Sequence, residues 1–72
     1  MKMTDELINR LKSHKTTLEN FYNYSIAPIH SEMMDMRRLY ETIGHPPIGT
    51  CGSCNAQICN TLYDHLKEEN LI

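Results

Sequence analysis

A single apolar stripe runs in helical register from Leu7 to Ile43, and it restricts the folds open to this chain more than any other feature. Leu7, Leu11, His14, Leu18 and Phe21 recur at alternating spacings of four and three, which places them on one face of an α-helix. Ile8, Tyr22 and Ile26 widen that face, while Lys2, Arg10, Lys12, Lys15 and Glu19 mostly lie off it. Thr4 is positioned to cap the helix, with Asp5 and Glu6 in the first turn where negative charge meets the positive end of the dipole. The pattern predicts a first helix over 4–24.

Pro28 interrupts this helix, because proline removes a backbone donor and pushes the residue before it toward extended geometry. The rhythm nevertheless resumes in phase at Ile29, Met33, Met36, Tyr40 and Ile43. Two structures satisfy it: a second helix over 29–43 that folds back on the first, or one long helix kinked at Pro28. Ser31 followed by Glu32 offers a fresh cap and favours the break. Gly44 is placed to end the segment in a left-handed conformation, and His45-Pro46-Pro47-Ile48-Gly49 is a stiff connector. A third helix is expected over 51–69, capped by Thr50 or Ser53. Its buried stripe would be Cys54, Ile58, Leu62 and Leu66, with Cys59 and Tyr63 at its flanks. No segment reads as a strand. The expected fold is therefore all-α with about three helices, a small bundle or a kinked rod with a short C-terminal helix, in one domain over 1–72.

Seventy-two residues are few. A chain of this size buries only about 60% of the surface it exposes when unfolded, and such domains often lean on a metal, disulfides or a partner. The stripe from Leu7 to Ile43 looks longer than one short third helix can cover. That predicts a non-enzymatic protein that binds another protein or its own copies. Leu7, Leu11, Leu18, Phe21, Tyr22, Met33, Met36 and Tyr40 are the expected interface residues. Methionine adapts to irregular contacts, and tyrosine presents an apolar body with a polar tip. His14, polar within the seam, reads as a core or register-setting residue rather than a catalytic base.

Composition excludes several classes. The formal net charge is −2, whereas nucleic-acid binding calls for a basic face. Arg37-Arg38 is flanked by Asp35 and Glu41 and reads as a solvated helix face. No apolar run approaches the ~18 residues of a membrane span, and the first residues lack the apolar core of a signal peptide. Three cysteines, an odd count, suit free thiols or metal ligands in a reducing cytoplasm better than a secreted disulfide framework. No phosphate loop or nucleophile motif is present.

The cysteine pair Cys51-Gly52-Ser53-Cys54 is the one motif able to carry chemistry. Cys-x-x-Cys at a turn is half of a tetrahedral zinc site, and His45 is the best placed third ligand. Cys59 points away from Cys54 around the helix, and His65 lies about 16 Å further along it, too far to share an ion with Cys54. The cofactor is then zinc or none. A thiol-redox couple is the second reading, since a helix N-terminus lowers the pKa of a cysteine there; no strand precedes the motif as it does in thioredoxin-like proteins. The third reading is packing, because cysteine behaves as a small hydrophobe.

Leu39-Tyr40-x-x-Ile43-Gly44, followed by a proline-containing turn and Cys51-x-x-Cys54 opening a helix, resembles small helical proteins encoded by tailed bacteriophages, some crAss-like phages among them. The resemblance covers 39–66. It implies a phage gene product, a minor virion or assembly component, located in the host cytoplasm or in the virion, and it transfers no catalytic activity.

Overall fold

In the computed structural model, which describes residues 3–72, four helices follow one another: α1 (Asp5–Ser13), α2 (Lys15–Tyr24), α3 (His30–Ile43) and α4 (Gly52–Glu68). There is no strand among the described residues. Lys2, read as lying off the stripe, falls outside them.

The expectation of about three helices is corrected to four, because the first helical stretch breaks at His14. Thr4 caps α1 as expected, its hydroxyl oxygen accepting the N–H of Leu7 at 3.3 Å. The break comes one turn after Leu7-Leu11. The N–H of His14 bonds back to the carbonyl of Leu11 at 3.1 Å, tightening the last turn, and His14 sits at φ −103° and ψ 7°. Its own carbonyl then accepts from Leu18, starting α2. Two side chains favour the interruption. Ser13 Oγ donates to the carbonyl of Arg10 at 2.6 Å, a local bond that competes with the helical ladder. The imidazole of His14 is drawn across to α3, where its Nε2 lies 2.6 Å from Asp35 Oδ2. The break spans one residue, so the stripe keeps its phase through it.

The long rod kinked at Pro28 is likewise overturned. Ser25 adopts the left-handed conformation at φ 56°, and its N–H donates to the carbonyl of Phe21 at 3.0 Å, closing α2 with a left-handed cap. Residues 25–29 then carry the chain back, so that α3 packs on α1 and α4. The cap of α3 is Ile29, without a side-chain bond, rather than Ser31. Gly44 ends α3 at φ 122°, a conformation that side chains rarely tolerate, and the N–H of His45 turns back to the carbonyl of Tyr40.

α4 packs against all three other helices. Ile58, Cys59, Leu62 and Leu66 on α4 meet Leu7 and Leu11 of α1, Leu18 of α2, and Met33, Met36, Leu39, Tyr40 and Ile43 of α3 in one buried cluster. Full burial of a Leu or Met side chain contributes roughly 1.5–3 kcal/mol. The molecule measures 28 × 25 × 18 Å. No helix is long and apolar enough to cross a membrane.

Candidate functional site

The start of α4 is built around its cysteines. Cys51, rather than Thr50 or Ser53, is the N-cap: its Sγ accepts the N–H of Cys54 at 3.2 Å and lies 3.3 Å from Ser53 Oγ. Cys51 and Cys54 are close enough for a disulfide, with Cα atoms 5.1 Å apart. Cys51 is exposed and Cys54 half-buried. Cys59, one turn on, is buried in the core, and burial pushes its thiol up to about 11. It is therefore a neutral packing group at physiological pH, whereas the pair opens to solvent.

Arg37 holds this region in place, a role its acidic flanks concealed. From α3 its Nη1 donates to the carbonyls of Ile48 at 2.9 Å and Gly49 at 2.8 Å, and its Nη2 donates to Asn55 Oδ1 at 2.6 Å. One guanidinium thus ties the connector and the first turn of α4 to α3, using the fork of donors that lysine lacks. The expectation of a wholly solvated Arg37-Arg38 face holds for exposed Arg38 and is corrected for Arg37.

His45 does not join the cysteines. Its ring stacks on Tyr40, centroids 4.6 Å apart, and its Nε2 lies 3.0 Å from Nε2 of His65. His65 stands eleven positions beyond Cys54 on α4, about 16 Å along the axis, so His45 is carried to the far stretch of the helix. Among the described residues no group of three or more His, Cys, Asp or Glu side chains is arranged to hold a metal ion. The half-site Cys51/Cys54 therefore gains no third ligand from His45. The reason lies in the positive-φ turn at Gly44, which sends His45 back over its own helix.

Six of the eight expected interface residues are used inside the fold. Leu7, Leu11, Leu18, Met33, Met36 and Tyr40 are buried in the chain's own core. The premise that the stripe outruns the cover available is corrected, because α1 and α2 bend at His14 and α4 lies against every other helix. Phe21 is half-buried against that core. Tyr22 is exposed on one side and stacks on Tyr63 of α4 on the other, centroids 4.1 Å apart, with the Lys67 ammonium 5.3 Å from its ring. Of the large apolar groups left exposed, Tyr22, Tyr24, Ile26 and Ile29, at 52%, 72%, 54% and 67%, lie around the turn between α2 and α3, while Met34 on α3 and Ile72 are exposed away from it. Ile26 and Ile29, with Pro28, line a shallow cavity of about 150 Å³. A second, of about 280 Å³, lies among His30, Met33, Met34, Arg37, Thr50 and Asn55. The first is well below the roughly 300–1,000 Å³ of small-molecule pockets, and the second stands at the lower edge of that range.

His14 lies buried at the junction of α1 and α2, against the carboxylates of α3. It is 6% exposed, and an ionised carboxylate can only accept, so its Nε2 donates to Asp35. Its Nδ1 lies 3.6 Å from Glu32 Oε1 without a hydrogen bond, while Glu32 accepts from the Thr17 hydroxyl. Arg10 stands 3.6 Å from the other oxygen of Asp35. The Asp35 carboxyl is held below the usual carboxylate range, first by the hydrogen bond from His14, against a smaller opposing effect of burial.

No family model matches the chain, and no curated protein or solved structure matches it either.

Proposed function

We propose that this chain is a small non-enzymatic module that docks onto another protein or onto its own copies through the elbow between α2 and α3. The carrying observation is that Tyr22, Tyr24, Ile26 and Ile29, close in sequence around one turn, are each more than half exposed although the same fold buries most other large apolar side chains of the stripe. The resemblance of 39–66 to tailed-phage proteins supports a minor virion or assembly component, in the virion or the host cytoplasm.

The elbow is tested with the double variant Ile26→Asp, Ile29→Asp. Both side chains are exposed in the single chain, so the variant keeps its stability to within about 0.5 kcal/mol. Wild-type protein is expected to run as an assembly in size-exclusion chromatography with light scattering, or to crosslink to a partner from Tyr24, and the variant to lose this. A wild-type chain that stays monomeric and uncrosslinked, indistinguishable from the variant, defeats the reading.

A second reading, thiol–disulfide exchange at Cys51 and Cys54, is favoured by one observation. The pair is close enough for a disulfide at an exposed helix start, with Cys51 Sγ accepting a backbone N–H. Insulin reduction no faster than background, with a dithiol as electron donor, ends it.

A further inference from the structure

The two sulfurs of the Cys51–Cys54 pair stand in different surroundings. Cys51 is exposed and caps α4, its Sγ accepting the N–H of Cys54 at 3.2 Å and lying 3.3 Å from Ser53 Oγ. Cys54 is half-buried, and its Sγ lies against Gly49, 3.6 Å from where a Cβ on that residue would stand. Arg37 grips both flanks of the pair, through the carbonyl of Gly49 and the side chain of Asn55, so the fold itself holds this difference in place. A thiolate can only accept hydrogen bonds. Once Cys51 ionises, the Ser53 hydroxyl therefore donates to it together with the Cys54 N–H, and such bonds to a charged acceptor are the strong ones. The positive end of the α4 dipole acts in the same direction. The sulfur best supplied with donors is also the one that a substrate can reach.

We infer that Cys51 is the attacking sulfur and Cys54 the resolving one, acting on solvent-exposed disulfides. This rests on the thiol–disulfide reading given above. The Cys51 thiolate attacks one sulfur of the substrate disulfide, forming a mixed disulfide and breaking the substrate's S–S bond, and the displaced thiolate takes a proton from water. The Cys54 thiol gives its proton to water and attacks the Cys51 sulfur. That closes the Cys51–Cys54 disulfide and releases the second substrate thiolate, which is protonated in turn. Two electrons pass from the cysteine pair to the substrate, whose disulfide becomes two thiols. A dithiol donor resets the pair by the reverse exchange. Cα atoms 5.1 Å apart place Cys54 within reach of the second step. Cys59, buried in the core, takes no part.

The test compares reduced Cys54→Ser, which keeps Cys51, with reduced Cys51→Ser, which keeps Cys54 and retains a capping side chain. Each is mixed with dithiodipyridine, a small disulfide whose released thione absorbs, over a range of pH. At pH 6, Cys54→Ser should react about tenfold faster or more, the gap narrowing as pH rises and both thiols ionise. Equal rates at pH 6, or faster reaction of Cys51→Ser, overturns the inference. Should either variant fail to fold, limiting iodoacetamide on the reduced wild-type protein decides. Label found on Cys51 supports the order, and label on Cys54 or spread evenly refutes it. Insulin reduction asks whether turnover occurs and this ranking asks which sulfur begins it, so the two fail separately.

Discussion

Histidine is used in two ways in this molecule. At the junction of α1 and α2, His14 is buried, its Nε2 is held by Asp35 at 2.6 Å, and Glu32 stands by its Nδ1. Near the end of α4, His45 and His65 are partly open to solvent and their Nε2 atoms face one another, with the single carboxylate on the outer nitrogen of His65. Burial and carboxylates make the first ring a stitch between helices. The second pair spends its facing nitrogens on each other, in one N–H···N hydrogen bond between the connector and α4. What surrounds a ring nitrogen, rather than the residue type, decides whether a histidine is bonded to a carboxylate or to another ring.

That contrast can be broken most sharply by truncation. His14→Ala removes a charge-assisted hydrogen bond and opens space in the seam between Leu11 and Leu18, so it should cost about 2–3 kcal/mol in urea unfolding. His45→Ala, which removes a half-exposed ring, should cost under about 1 kcal/mol. Equal losses from the two variants would erase the distinction.

A smaller effect sharpens it through pH. Asp35 titrates below its unfolded value of about 3.9, so its contribution is present above that pH and is lost as pH falls through the lower folded value. The stability gap between wild type and Asp35→Asn should therefore be open at pH 5–7 and close below about pH 4. Its size should stay under about 1 kcal/mol, since the Asp35 side chain is 44% exposed and solvent screens the pair. A gap that persists undiminished in acid would show that Asp35 acts by packing instead of charge.

Much of the architecture was legible before folding. Thr4 as a cap, the break near Pro28 and the stop at Gly44 all rest on single-residue chemistry, and each was readable. The break at His14 was not, because Leu11, His14 and Leu18 hold helical phase across it and periodicity cannot register a one-residue interruption. The candidate site was legible only as an inventory. Cys51 and Cys54 could be named, but His45 was assigned to them when its partner is His65, twenty positions away. Arg37 was read from its acidic neighbours, and its bonds reach Ile48, Gly49 and Asn55.

Helical class, the order of the segments and the residues that punctuate them follow from interactions between near neighbours, which operate along any stretch of backbone. The burial of the stripe, the exposure of the elbow and the meeting of His45 with His65 arose only once α4 had packed against the other three helices. Such encounters depend on the path taken by two short connectors. A modest rotation there carries a side chain at the far end of a helix out of contact, and no local pattern records it.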